Sequence, residues 1–410
     1  MDKYWIYVTL ISLLSCTEPK EIRDKTIIPV AEAVGTGEIL NLSDYAKSVK
    51  YISLETTDSL LIGDIDGLVY ENGRIALYDF QGKKARLFQE GGKYITDLGR
   101  IGHGPGEYSF IRKIHSMPDR DGIFLATNGG YFIYDLKGCF VRYIPLANAP
   151  APFFSPGTIP ITDNFFLSFL VAMNDVRYKA MVWGQKDSSQ VYDLIPYHTG
   201  WDYKEKLSSY SVSINHWRFK DQVRCFWAAT DTVFTIGSEL QMEKAFVIDL
   251  EKYKQPLKWL LGGAPWKEVE VSKIIKPWVT AESSHFLFIA LNMYALAPEP
   301  FTYKRMNPRG YMQVLKSVSV LALFNKDTGK LVLMNQPVKH KYLGFRNDLD
   351  GGPCFWPKYI SSKDEMVTWF MAEEFLEIYE QLPNPSPELK AVAEKLTPDD
   401  NPVLMVVQLK

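Results

Sequence analysis

The sequence predicts an all-β protein, a single six-bladed β-propeller with a short helical insertion near the carboxyl terminus. Three observations support this fold class: short strand-like runs, a weak repeat of about 46–48 residues, and two terminal segments that can pair with each other. The composition agrees, because 46% hydrophobic, 14% aromatic and 23% charged residues in 410 are typical of a folded protein. It excludes a disordered chain, collagen, a coiled coil and a polytopic membrane protein.

The strand-like runs are rich in Val, Ile, Phe and Tyr and are bounded by Gly, Asp and Asn. Such runs are typical of antiparallel strands, since β-branched and aromatic side chains suit a pleated surface and the bounding residues favour turns. The clearest runs cover residues 74–78, 122–126, 131–134, 232–236, 285–290 and 318–324. Residues 150–230 lack a clear signature.

The repeat relates residues 75–94 to residues 123–140, with weaker copies near 231 and 321. A β-only repeat near this length is typical of propeller blades, each with four strands. The chain from residue 46 to residue 410 has room for six blades of about 60 residues, insertions included.

The two ends of the chain are expected to close the ring. A propeller avoids a bare sheet edge when one blade takes a strand from the opposite terminus, and residues 49–54 and 402–409 are suitable apolar runs. Helical periodicity is clear at 372–381 and 386–396, where Ser386 and Pro387 suit an N-cap and a first turn. These helices would lie in the last blade.

The amino terminus is typical of an export signal. Residues 4–14 form an apolar run too short to span a bilayer, which takes about 20 residues, and residues 13–16 (Leu-Leu-Ser-Cys) resemble a bacterial lipobox. A plain secretory signal or a buried first strand is the alternative. We therefore predict a lipoprotein signal at 1–16 with lipidation at Cys16, a tether at 17–45 and the propeller at 46–410, with only the acyl chains entering the membrane.

The charge balance argues against nucleic-acid partners. The chain has 46 Lys and Arg against 48 Asp and Glu, for a net charge of −2, and no basic block. Nucleic acid and anionic membrane surfaces are bound by clustered Lys and Arg, which displace counterions.

Three cysteines remain beside Cys16, namely Cys139, Cys225 and Cys354. An odd number at wide spacing is not a disulfide framework, and no Cys-x-x-Cys metal or redox pair is present. Their aromatic and aliphatic neighbours predict buried, unreactive thiols.

The segment 99–108, Gly-Arg-Ile-Gly-His-Gly-Pro-Gly-Glu-Tyr, resembles the glycine-rich signature of NHL-type propeller repeats. It is more similar still to a segment of the six-bladed β-propeller lipoproteins of Gram-negative gut anaerobes, and residues 231–234, 347–357 and 401–404 agree with that family. The resemblance implies the propeller fold and a cell-envelope location, lipid-anchored to the outer membrane on its periplasmic side or at the cell surface. It carries no catalytic residue.

The same glycine-rich segment could cradle a phosphate, because closely spaced glycines let backbone N–H groups approach an anion. That site requires a following helix, whereas residues 108–114 have a strand-like sequence without a Lys-Ser or Lys-Thr pair. We therefore predict a turn between blades, fixed by an ion pair of Arg100 with Glu107.

Metal ligands are suggested only weakly. Asp-x-Asp-Gly units at 64–67, 119–122 and 348–351 could contribute to a Ca²⁺ site, but none continues to a distal Glu, and Asp and Gly also favour turns. We expect no cofactor, with Ca²⁺ as the alternative. The histidines, at 103, 115, 198, 216, 285 and 340, have no ligand spacing, so a metal would need ligands from distant blades in the channel.

Aromatic residues are numerous, with 10 Trp and 23 Tyr. Most are expected to fill the wedges between blades, although such rings can also stack on sugars or hold apolar ligands. The tryptophans considered for a binding face are Trp183, Trp201, Trp217, Trp227, Trp266, Trp278 and Trp356.

These observations favour a monomeric, non-enzymatic envelope protein that binds a ligand such as a glycan, or a partner protein. The site is expected on one face or at the channel mouth, where the loops of every blade meet. The candidate contact residues are Arg100, His103, Glu107, Asp348, Asp350 and Trp356. The alternative, by fold analogy, is a hydrolase or lyase acting on a glycan or lactone with a channel-bound metal.

Overall fold

The structure is a computed structural model that describes most of the chain as strands arranged around one axis. The described residues are 24–104, 106–145, 157–171, 178–184, 190–193, 214–227, 231–255, 271–306, 311–339 and 342–410. Six sheets, each with four strands of an antiparallel blade, surround the axis. The predicted six-bladed β-propeller is confirmed.

Three short elements come before the first blade. They are strand β1 (Ile27–Pro29), the one-turn helix α1 (Val30–Ala33) and strand β2 (Ala46–Ser53). β1 pairs in parallel with the outer strand of the fourth blade, and Ile28 and Val30 are fully buried there. The described part of the segment predicted as a tether is thus packed against the ring.

Blades 1 to 3 are meanders whose strands pair in chain order. Blade 1 consists of β3 (Ile65–Glu71), β4 (Arg74–Asp79), β5 (Lys84–Gln89) and β6 (Tyr94–Asp97). A parallel pair, β7 (Arg100–Ile101) and β8 (Glu107–Tyr108), then precedes blade 2. Blade 2 consists of β9 (Ile111–Ser116), β10 (Gly122–Thr127), β11 (Gly130–Asp135) and β12 (Phe140–Pro145). Blade 3 consists of β13 (Thr158–Pro160), β14 (Phe165–Val171), β15 (Tyr178–Gly184) and β16 (Gln190–Asp193).

Blades 4 to 6 contain elements beyond a simple four-stranded meander. Blade 4 consists of β17 (Ile214–Phe219), β18 (Gln222–Trp227), β19 (Thr232–Ile236) and β20 (Met242–Asp249), with β1 at its edge. Blade 5 consists of β21 (Lys276–Glu282), β22 (Phe286–Asn292), β25 (Ser319–Asn325) and β26 (Lys330–Leu333), and the hairpin of β23 (Phe301–Met306) and β24 (Met312–Ser317) is inserted within it. Blade 6 consists of β27 (Tyr359–Ile360), β28 (Glu365–Phe370), β29 (Val403–Leu409) and β2. Short 3-10 turns lie at Leu42–Asp44, Glu251–Tyr253, Val271–Lys273 and Tyr294–Leu296.

The ring closes in blade 6 through strands from both ends of the chain. β2 pairs antiparallel with β29, with Val49 opposite Val407 and Ile52 opposite Leu404. The predicted pairing of residues 49–54 with 402–409 is confirmed. It covers an edge that would otherwise present unpaired backbone groups.

The helical insertion lies between β28 and β29, as predicted. It contains α2 (Ala372–Tyr379) and α3 (Pro387–Ala393). The Ser386 hydroxyl accepts a hydrogen bond from the Leu389 N–H, while Pro387 occupies the first turn, where its missing N–H costs nothing.

Apolar side chains fill the wedges between neighbouring blades. Between blades 2 and 3, Phe124, Tyr131, Phe166 and Trp183 form one buried cluster, and the rings of Phe166 and Trp183 are 4.9 Å apart. The expectation that aromatic residues fill these wedges is confirmed for this cluster.

The prediction of buried, unreactive thiols holds for Cys225, holds in part for the half-buried Cys354 and fails for Cys139. Burial raises the pKa of Cys225 to about 12 and that of Cys354 to about 11, so both are unreactive. Cys139 is exposed, so its predicted burial is wrong. The apolar neighbour Phe140, from which burial was inferred, itself lies 55% exposed on the outer strand of blade 2.

Candidate functional site

A cavity of about 420 Å³ lies on the propeller axis, where the inner strands of blades 1, 2, 4, 5 and 6 face one another. The inner strands border it with consecutive residues, such as 113–116 and 214–218, so side chains from both faces of a strand reach the channel. The charged and imidazole side chains at the cavity are Asp66, Lys113, His115, Arg120, His216, Arg218, Glu282 and Lys358. The aromatic ones are Trp217, Trp278, Tyr359 and Trp369.

Two histidines from different blades meet in the channel. His115 on β9 and His216 on β17 place their Nε2 atoms 3.3 Å apart. Strand β13 of the intervening blade is short, and Gly157 just before it leaves the necessary room: a Cβ at this position would lie 2.4 Å from Cε1 of His216. The imidazoles can share one hydrogen bond only if one donates and the other accepts.

Burial keeps both imidazoles neutral. It lowers the pKa of His216 to about 3, with a further contribution from the positive charge of Lys113. The pKa of His115 also lies well below its usual value. Burial is the main cause, and electrostatic effects of His216, Lys113 and Arg218 lower it further. Below pH 6.5 the pair therefore resists the protonation that exposed histidines undergo.

Arg218 is a buried cation with unused donors. One guanidinium nitrogen, Nη2, donates to the carbonyl of Pro160, whereas Nε and Nη1 have no partner among the described residues. Burial and the nearby Arg120 lower the pKa of Arg218 to about 10, so the side chain is still positive at pH 7.

One end of the channel, where the inner strands finish, is bridged by a polar network. Glu71 at the end of β3 accepts from Nη1 of Arg120 at 2.8 Å, from the hydroxyl of Tyr359 at 2.9 Å and from that of Ser362 at 2.6 Å. Arg120 also donates to the carbonyl of Lys220, at 3.1 Å, in the turn after β17. These contacts cross the axis and join blades 1, 2, 4 and 6.

Glu282 on β21 is the other buried carboxylate at the cavity. It accepts from Nε1 of Trp217 at 2.9 Å, from Arg224 at 3.2 Å and from Lys326 at 3.0 Å. Two cations and an indole therefore hold this carboxylate between blades 4 and 5.

A comparison with known protein families places the chain. The family described as a domain of unknown function, DUF4934, matches residues 25–408. The chain belongs to the DUF4934 family. A search of curated proteins finds no match.

Several solved structures are similar to this DUF4934 chain, and the first of them, by its TM-score, shares its fold. A Bacteroides fragilis protein named as exported is 16% identical, with a TM-score of 0.64 and coverage of 94% of this chain and 100% of its own. A streptogramin B lyase is 10% identical, with a TM-score of 0.40 and coverage of 88% and 98%. An auxiliary nutrient-binding protein of Bacteroides thetaiotaomicron is 9% identical, with a TM-score of 0.40 and coverage of 91% and 76%.

The glycine-rich segment of the DUF4934 chain forms a surface turn between blades 1 and 2. Arg100 and His103 are exposed, and Glu107 accepts a hydrogen bond from the N–H of Gly104 at 2.9 Å. No ion pair joins Arg100 to Glu107 in this described segment, so that predicted contact is wrong. A strand follows the segment, as predicted, and not a helix.

The remaining candidates lie in blade 6. Asp348 accepts from the N–H and hydroxyl of Ser43, and Asp350 accepts from the side chain of Asn347 and the N–H of Gly352. Both carboxylates therefore stabilise local loops. Within the described parts of the chain, no group of three or more His, Cys, Asp or Glu side chains is placed to hold a metal ion.

Trp356 is the predicted candidate that approaches the channel. Its Nε1 donates at 3.0 Å to the hydroxyl of Thr280, which lines the cavity. Of the considered tryptophans, Trp217 and Trp278 also line it, and Trp183 is buried between blades. Trp201, Trp266 and the side chain of Trp227 lie outside the described residues.

Sequence reasoning missed the cavity residues Lys113, His115, His216 and Arg218. The available signal was their position: Lys-x-His and His-x-Arg each place two polar side chains on one face of a blade's first strand. These two faces, from blades 2 and 4, meet beside the short first strand of blade 3, where His115 contacts His216.

Proposed function

We propose that this protein is a non-enzymatic binding protein whose ligand is a small polar molecule held in the central channel. The observation that carries the proposal is the cavity of about 420 Å³, which combines aromatic rings with polar groups from five blades. Ligand pockets commonly measure about 300–1,000 Å³ and pair apolar walls with a few orienting polar groups.

A saccharide suits these walls. Trp278, Tyr359 and Trp369 supply aromatic surface that can pack against a sugar ring, while Thr280 and Lys113 can hydrogen-bond to hydroxyls. A glycan fragment of one or two rings is therefore the proposed kind of ligand.

Binding is favoured over catalysis by the state of the carboxylates. Glu71 and Glu282 are each fixed by ion pairs and by neutral donors, so their oxygens are already engaged in hydrogen bonds within the protein. The histidine pair is the observation that supports the alternative, a lyase or hydrolase with a channel metal. However, Lys113 and Arg218 beside it would repel a divalent cation.

The test is calorimetric titration of neutral and acidic mono- and disaccharides into the mature protein, with recovery of the ligand afterwards. We expect saturable binding at one site, weakened about 10-fold by Trp278→Ala, since an aromatic contact contributes about 0.5–1.5 kcal/mol beyond the area that it buries. Phe140→Ala, on the outer rim, is the matched control and should bind normally. Equal binding by Trp278→Ala or no saccharide binding would overturn the channel site, and recovery of a cleaved product would overturn the non-enzymatic role.

We further propose that the protein is exported and held in the cell envelope by lipid on Cys16, acting as a monomer. The signal at 1–16 lies outside the described residues, so the support is its sequence pattern. In the described residues no helix is long and apolar enough to cross a membrane. Cys16→Ser should abolish labelling by a radioactive fatty acid and release the protein from membranes, whereas unchanged fractionation would contradict the anchor.

A further inference from the structure

We propose that the channel ligand carries an acidic group, a carboxylate or a sulfate, which binds between Arg218 and Lys113. This inference rests on the proposed binding function and specifies the chemistry of its ligand. It follows from which charges in the cavity are already paired and which are not.

Two of the charged side chains at the cavity are satisfied by the protein itself. Arg120 donates to Glu71, to Ser116 and to the carbonyl of Lys220. Glu282 accepts from Trp217, Arg224 and Lys326. At the cavity edge, Nζ of Lys358 donates to the carbonyl of Trp369 at 3.2 Å, and Asp66 is exposed. The interior is therefore left with the positive charges of Lys113 and Arg218.

Lys113 and Arg218 both lie beside the pair of His115 and His216. Lys113 shares a strand face with His115, Arg218 shares one with His216, and the two imidazoles touch. Electrostatic effects of both cations reach His115 and add to the lowering of its pKa. Two cations of different blades therefore converge on the histidine pair. The charges of Asp119 and Asp221 also act on Arg218, but neither aspartate lines the cavity.

The unused donors of Arg218 define the geometry of the ligand. Nε and Nη1 are buried without a partner, and a buried donor that lacks a hydrogen bond is unfavourable. The guanidinium fork binds planar or tetrahedral oxyanions through two parallel hydrogen bonds, and a short movement of the side chain would present it to the cavity. An oxyanion would also offset the charge of Lys113.

The cavity volume limits the size of this acid. About 420 Å³ admits one or two sugar rings with their acidic substituent. Uronic acids carry a carboxylate and sulfated sugars carry a sulfate, and either group could bind to Arg218 and Lys113. The experiment below separates the two.

The experiment measures binding of a matched series by calorimetry at low ionic strength: glucose, glucuronate and glucose 6-sulfate. Inorganic sulfate serves as an independent probe through the melting temperature. We expect an acidic sugar to bind at least about 10-fold more tightly than glucose, and the tighter of the two acids identifies the source of the anion. We also expect sulfate to raise the melting temperature of the wild type more than that of Arg218→Gln, because its general stabilising effect is common to both.

Arg218→Gln and Lys113→Gln should each remove most of this preference for the acidic sugars over glucose. Lys316→Gln, in the exposed hairpin of blade 5, is the charge-matched control. Arg218→Lys keeps the charge without the fork and should bind more weakly than the wild type, which separates hydrogen bonding from charge. Circular dichroism confirms that each variant is folded.

The outcomes distinguish this inference from the function on which it rests. Equal or tighter binding of glucose than of the acids, or an unchanged preference in Arg218→Gln, overturns the acidic-ligand inference and leaves the channel site standing. If neither neutral nor acidic sugars bind and sulfate has no effect, both the acidic-ligand inference and the proposed binding function are overturned.

Discussion

The Arg120 guanidinium donates to the Glu71 carboxylate at 2.8 Å on the propeller axis, and the Glu71 side chain is only 1% exposed. Arg120 belongs to the turn after the inner strand of blade 2, while Glu71 ends the inner strand of blade 1. With Tyr359 and Ser362 on the same carboxylate, this contact joins blades 1, 2 and 6. It fixes one end of the channel.

Loss of this carboxylate should destabilise the whole ring. In Glu71→Ala the buried guanidinium of Arg120 loses its counter-charge, and breaking a buried pair in this way costs about 3–5 kcal/mol. The free energy of unfolding from urea titrations should fall by that amount. Glu90→Ala removes the exposed pair with Lys50 and should cost at most about 1 kcal/mol. Equal effects of the two variants would contradict the bridging role of Glu71.

Local sequence signals predicted the strands, the ring closure and the helical insertion well. The closing strands, Ser386 as a helix cap and the strand runs all depend on neighbouring residues or on the chain ends, which a single sequence displays. The channel was not predictable in this way. His115 and His216 are 101 residues apart and meet only because blades 2 and 4 are placed around one axis. The candidates chosen from motifs were mostly turn residues, since Gly and Asp signal turns as strongly as they signal ligands.

The histidine pair predicts a specific loss of stability in acid. The pKa of His216 is about 3 in the folded protein and about 6.5 in the unfolded chain, so between these values the unfolded state binds more protons. Stability should therefore decrease as pH falls below about 6.5, by about 1.4 kcal/mol per pH unit for each neutral histidine. Urea titrations at pH 7.5, 6.0 and 5.0 measure this dependence.

The comparison of variants isolates the contribution of the pair. His115→Gln/His216→Gln should lose less stability between pH 7.5 and 5.0 than the wild type, because glutamine does not titrate. His285→Gln removes an exposed histidine paired with Asp327 and serves as the control, which should retain the steep dependence. A double variant as acid-sensitive as the wild type would show that other groups cause the effect.

Gly157 is expected to tolerate no side chain. A Cβ there would lie 2.4 Å from His216 Cε1 and 3.0 Å from Nε2, so alanine must displace the imidazole from His115. Gly157→Ala should therefore lower the free energy of unfolding by about 1–3 kcal/mol, as overpacking does. It should also shift the imidazole proton resonances of both histidines. Gly91→Ala, where a Cβ meets open space, is the control, and unchanged histidine resonances in Gly157→Ala would contradict the close approach.

Substitutions where the ring closes should destabilise the fold strongly. Val407 is fully buried in β29, between Val49 of β2 and Met366 of β28, so it lies where the two ends of the chain meet. Val407→Asp would bury a carboxylate without a counter-charge and separate the strands on both sides, at a cost of more than about 4 kcal/mol. We expect a much lower midpoint of urea unfolding, measured by tryptophan fluorescence.

The adjacent residue provides a control on the same strand. Gln408 points to the opposite face, is half-buried and donates to the carbonyl of Lys363. Gln408→Asp places the same carboxylate one residue away and should cost about 1 kcal/mol, the value of a lost hydrogen bond. Both faces of β29 are buried over residues 403–407, and only Gln408 is half-buried, so a large difference between the two variants would support the observed placement of these two residues. Similar losses would mean that this placement is wrong.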